Sequence, residues 1–267
     1  MSPALRESIE TLYHVFARYD RPAVVHGFST CITPAGLEKL VSTKLRQLSG
    51  DALGSYAFSA VSTIGSLLDF KYFLPRIVEL TVGELRHGYF QCGDTDAEIV
   101  FGKMPYGDWR TWPAAEQAAT ENVALLWLES CFAGDFAERP ELESQRLVSD
   151  WWPIQTAMQS CLILGLDLRP RLRGFRDQAR RNPTSPFARS FALWLMEIEG
   201  KDWLDGSVVS DAYLSKRDQP RKLELQDFLK SAGLREVFER AFFAAGESQE
   251  KELFSDALQR AEWFGCS

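Results

Sequence analysis

Three acids stand at alternate positions in Asp94-Thr-Asp96-Ala-Glu98. In an extended segment, alternate side chains share one face. Such a trio could hold a hard cation or offer an acidic face to a basic protein. The run lacks the further oxygen ligands and the glycine of a helix-loop-helix calcium site, so a solvated acidic loop or docking face is the simpler expectation. Asp94, Asp96 and Glu98, with Trp109 beyond them, form the candidate partner-binding set.

A second group of charges, Asp69, Lys71, Arg76 and Glu79, is embedded among aromatic and aliphatic residues. Charges in apolar surroundings must pair or reach water. Arg76 and Glu79 are three apart, a spacing that pairs on a helix. A structural ion-pair network is expected. The alternative is an enzyme pocket around Asp69, Lys71 and Arg76, for which the sequence places no nucleophile or base beside them. A third group, Arg169, Arg171, Arg173, Arg176, Arg180 and Arg181, carries four arginines along one helical face. That face could hold phosphate or RNA. Asp167 and Asp177 beside it favour an ion-paired, solvated surface.

Other chemistry lacks its spacing. His14, His26 and His87 form no His-Glu-x-x-His motif and lie beside no cysteine pair, so no metal is expected. There is no Gly-x-Ser-x-Gly elbow and no glycine-rich loop opening a helix after a strand. No cofactor and no enzymatic activity are expected.

The chain has 267 residues, 45% hydrophobic and 25% charged, the profile of a globular protein with a substantial core. Its net charge of −7 argues against nucleic-acid binding and suits a basic partner. Cys31, Cys92, Cys131, Cys161 and Cys266 are odd in number and scattered, which suits reduced thiols in a cytoplasm. Neither a signal peptide nor a membrane span is expected.

The elements that must position these groups read as about ten helices. Leu5, Ile9, Leu12, Phe16 and Tyr19 stripe a first helix over 3–19. Thr33-Pro34 and Ser49 open two more, the first running to about Leu48. The helix opened by Ser49 carries many small residues, which would let a neighbour approach closely. Asp69 reads as a cap for a helix over 70–86, in which Pro75 must either kink the helix or mark its true start, and the second reading, with Asp69–Leu74 extended, is preferred. Residues 87–110 break the helical rhythm, and Ala97–Phe101 reads as a short strand. Further helices are expected at 111–133, 139–149, 152–164, 168–181, 186–199, 223–231, 234–245 and 248–264, with Val208–Tyr213 extended. At Trp151-Trp152, two adjacent indoles cannot both face the core. The expected architecture is all-α, an irregular multi-helix bundle or solenoid-like array of antiparallel helix pairs with a short β-like insertion near 87–110. One domain, 1–267, is expected, with a weak seam near 182–186.

Over about residues 12–80 the chain resembles an uncharacterised family of bacterial cytosolic proteins. The resemblance is carried by Leu12-Tyr-His-Val-Phe-Ala17, Leu45-Arg-Gln-Leu-Ser49, Asp51-Ala-Leu-Gly-Ser-Tyr-Ala-Phe58 and Asp69-Phe-Lys-Tyr-Phe-Leu-Pro-Arg-Ile-Val-Glu-Leu80. Asp-Phe-x-x-Phe-Leu-Pro-Arg is its most specific phrase. Where family members carry a Cys-Pro-Cys-Cys turn, this chain has Phe28-Ser-Thr-Cys31 and keeps one thiol. The resemblance implies a helical bacterial cytosolic protein, of a kind associated with polymorphic-toxin loci. Together with the negative charge, it leads to the expectation of an immunity-type protein that binds a cognate toxin domain. A regulatory scaffold is a further alternative.

Overall fold

The computed structural model describes residues 1–83, 85–86, 89–136, 152–196, 219–246 and 248–266. The expected helix over 139–149, the extended segment Val208–Tyr213 and the side chains of Trp151, Trp152 and His87 lie outside the described residues. Among the described residues the chain is all-α apart from one small sheet, as its periodicity predicts. It forms two compact units, Met1–Trp127 and Leu128–Ser267. The seam expected near 182–186 is a connector inside the second unit.

In the first unit, α1 (Pro3–Phe16) begins at Ser2, whose Oγ accepts from the Leu5 amide, and Pro3 takes the first helical position. Thr33 caps α2 (Pro34–Ser42) in the same way. The helix expected to reach Leu48 stops at Ser42, and a 3-10 turn, η1, covers Leu45–Gln47. Ser49 caps α3 (Gly50–Ser59).

The next helix, α4, runs unbroken from Leu67 to Gly83 with Pro75 inside it. The extended Asp69–Leu74 expected from Pro75 is therefore corrected to helix. Ser66 and Asp69 form a capping box that fixes the start. Asp69 Oδ2 accepts from the Ser66 amide at 2.7 Å, and Ser66 Oγ accepts from the Asp69 amide at 3.2 Å. Burial of Phe70, Phe73, Leu74, Ile77 and Val78 offsets the backbone hydrogen bond that Pro75 cannot make.

Three antiparallel strands follow: β1 (Leu85–Arg86), β2 (Tyr89–Cys92) and β3 (Thr95–Asp96), in the order β1-β2-β3. The strand expected at Ala97–Phe101 is corrected to the start of α5 (Ala97–Tyr106). Ala97, Val100, Phe101 and Met104 recur at spacings of three and one and are buried together, a helical face rather than an alternating one. A 3-10 turn, η2 (Trp109–Thr111), leads to α6 (Ala114–Phe132), within which the two units divide.

The small-residue face of α3 meets the β2–β3 turn. A Cβ on Gly50 would lie 2.8 Å from the Gly93 nitrogen, and one on Gly54 would lie 3.1 Å from the Cys92 carbonyl oxygen. Gly93 itself takes φ +65°, a conformation that glycine adopts without penalty. Thr95 Oγ1 completes the junction by donating to the Gly54 carbonyl at 2.8 Å.

The second unit holds the end of α6 with α7 (Trp152–Ile163), α8 (Arg169–Arg181), α9 (Pro186–Met196), α10 (Gln219–Ser231), α11 (Leu234–Ala244) and α12 (Ser248–Trp263). Consecutive helices pack on one another, α8 on α9 and α11 on α12. An aromatic cluster of Phe132, Phe175, Phe191 and Trp194 fills its centre, with ring centroids 4.9–6.3 Å apart.

Candidate functional site

The charges of α4 do three separate jobs. Asp69 caps the helix. Lys71 is 7% exposed and donates to Glu116 Oε2 at 2.8 Å and to the Tyr19 hydroxyl at 3.0 Å. The Tyr19 hydroxyl donates to Glu116 Oε1 at 2.6 Å, and the Trp112 ring lies 4.3 Å from Lys71 Nζ. Arg76 donates to Glu79 at 2.7 Å and to the Leu48 carbonyl at 2.8 Å, while the Tyr13 hydroxyl donates to the same Glu79 oxygen. Burial and the Glu79 carboxylate push the Tyr13 phenol above its ordinary range. The Arg46 guanidinium covers the Tyr13 ring at 3.7 Å and pairs with Glu10. Asp69, Lys71 and Arg76 thus face different partners and do not converge on one pocket.

The acidic run is also divided. Asp94 is exposed in the β2–β3 turn, Asp96 ends β3 half-buried, and Glu98 lies in the first turn of α5. The extended geometry that would align three carboxylates stops at Asp96, because the helix begins at the next residue. Burial raises the Asp96 carboxyl above its ordinary range. Trp109, expected at a partner surface, is 3% exposed and belongs to the core beside η2. Among the described residues, no group of three or more His, Cys, Asp or Glu side chains is placed to hold a metal ion.

The exposed aromatics of this region lie elsewhere. Phe58 on α3 and Tyr106 at the end of α5 are 55% and 67% exposed. Both rings flank Lys103, whose Nζ lies 5.8 Å from the Phe58 centroid and 5.5 Å from that of Tyr106. Phe58 is one helical turn beyond Gly54, against which the Asp94 turn packs. Phe58, Lys103 and Tyr106 therefore share one surface, and the turn that carries Asp94 packs on α3 one helical turn before Phe58. Phe58, Lys103 and Tyr106 are not among the residues that the sequence singles out for partner binding. The available signal is Lys103 in the mostly apolar run Ile99–Tyr106, three residues after Val100 and three before Tyr106.

In the second unit the arginine stripe is largely paired. Arg169 meets Asp167 at 2.8 Å and Glu224 at 3.4 Å, Arg171 meets Glu129 at 3.3 Å, Arg176 meets Asp177 at 2.7 Å, and Arg180 meets Glu236 at 3.2 Å. Arg169, Arg173 and Arg176 line a cleft of about 330 Å³ that they share with Glu224 and Asp227. A larger cavity of about 530 Å³ is bounded by Asp135, Phe136, Thr184, Arg189, Glu250 and Phe254 among others, a mixed lining of acids, one base and apolar groups.

Among the described residues, no helix is long and apolar enough to cross a membrane. No protein-family model matches the chain, and neither the curated proteins nor the solved structures compared with it gave a match.

Proposed function

We propose that this chain is an immunity-type protein of the bacterial cytoplasm that binds and neutralises a cognate toxin domain, and that it acts by binding rather than by catalysis. The carrying observation is the α3–α5 surface, where Phe58 and Tyr106 stand exposed around Lys103, with Asp94 at the adjoining turn. Exposed aromatics beside fixed charges supply both the apolar anchors and the orientation that protein interfaces use. The net charge of −7 would speed encounter with a basic toxin domain. The resemblance over residues 12–80 to proteins associated with toxin loci supports the same reading.

The test is co-expression with the toxin domain encoded by the adjacent gene. The wild-type chain should restore growth. The Phe58→Asp/Tyr106→Asp double variant should fail to protect while keeping its Tm, since both side chains are exposed. If the purified pair does not associate, the reading is wrong. A regulatory scaffold would use the same surface on a different partner, and would give no protection against the toxin.

A further inference from the structure

Lys103 is 9% exposed, and among the described residues no carboxylate pairs with it. Lys71 is similarly buried but has Glu116 at 2.8 Å. The partners of Lys103 are the π faces of Phe58 and Tyr106. Two such contacts offset only part of the desolvation of an ammonium. Burial accordingly pulls the Lys103 ammonium below its ordinary range. The residue is under-compensated in the isolated chain, and the rings beside it face solvent.

We propose that Lys103 anchors an Asp or Glu carboxylate of the docking protein, inserted between the Phe58 and Tyr106 rings. This rests on the reading of the surface as a protein-binding face. An ammonium offers three donors, and a carboxylate carries the single charge that matches it. The methylene stem of an acidic side chain would pack on the two rings. A polyanion such as RNA would bring many charges to a chain of net charge −7.

Two measurements test this. The first uses 3-phenylpropionate as a carboxylate probe, followed by saturation-transfer NMR, with 3-phenyl-1-propanol as the uncharged control. Wild type should bind the acid better than the alcohol, and Lys103→Met should lose that preference. The second measures affinity for the toxin domain, which should fall about 30-fold or more in Lys103→Met. The Tm should not fall, since the change removes an under-compensated buried charge. Lys103→Gln repeats both measurements with a polar neutral side chain. Equal binding by wild type and both variants would overturn the inference, as would a lowered Tm in both, which would mark Lys103 as structural. If the probe binds through Lys103 while no toxin domain associates, the toxin-neutralising reading fails and the carboxylate anchor stands.

Discussion

Lys71 and Glu116 meet at 2.8 Å inside the first unit, with Glu116 1% exposed and the Tyr19 hydroxyl bonded to both. The pair joins α4 to α6 across 45 residues of sequence. Both carboxylate oxygens and the ammonium are engaged, and Trp112 covers the lysine. Such a closed group is costly to break and of modest net benefit when whole.

Lys71→Met should therefore destabilise by about 3 kcal/mol, because it removes the buried partner of the Glu116 carboxylate and leaves it the Tyr19 hydroxyl and the exposed Arg18 guanidinium at 3.9 Å. The Lys71→Met/Glu116→Met double variant should recover most of that loss, since the half-exposed Tyr19 hydroxyl can turn to water. Denaturant midpoints of the single and double variants measure both effects. If the double variant is no more stable than the single, the cluster is not a paired unit.

Asp96 gives a pH dependence. Burial raises its carboxyl above the ordinary value of 3.8, so the folded chain holds that proton more tightly than the unfolded chain does. The stability associated with the proton is complete below 3.8 and is lost as pH rises through the raised folded value. Asp96 sits at the N-cap of α5 without a capping hydrogen bond from its side chain, so ionisation gains little there. Asp96→Asn should match wild type near pH 3 and exceed it at pH 7. Urea midpoints at the two pH values check this, and a variant weaker than wild type at pH 7 would contradict the burial argument.

Signals that act within a few residues are legible in the sequence, and contacts between distant segments are not. Thr33-Pro34 and Ser49 announce two helix starts because caps act within three residues. The small residues of α3 announced a close neighbour, and Gly50 and Gly54 found it at Gly93 and Cys92. Pro75 misled, because its cost is local whereas the apolar burial that carries α4 through it comes from the whole unit. The alternating acids misled at Ala97, where β3 ends and helical burial begins. Glu116 could not be paired with Lys71 from spacing alone, since nothing local links α4 to α6. Trp109 reads as a surface anchor by residue type, but it stands three residues before Trp112 and both are buried. Phe58, Lys103 and Tyr106 come together only once α3 and α5 are packed.

Cys31 should be the reactive thiol. None of the five cysteines forms a disulfide. Cys31 Sγ accepts from Thr63 Oγ1 at 3.7 Å and lies 3.8 Å from Thr30 Oγ1, and these hydroxyls hold its thiol below the ordinary value of 9.0. The other four are buried. Burial raises the Cys131 and Cys161 thiols far from neutrality, and that of Cys266 to about 11. Reaction with a disulfide reagent goes through the thiolate and needs access, and Cys31 has both. The native chain should therefore show one fast equivalent with Ellman's reagent at pH 7, and Cys31→Ser should remove it. The pH–rate profile of that phase should have its midpoint below 9.0. Two or more thiols reacting together would mean that a buried cysteine, Cys92 in the first unit or Cys131, Cys161 or Cys266 in the second, is exposed by local opening on the timescale of the reagent. A fast phase that survives in Cys31→Ser would place the reactive thiol elsewhere.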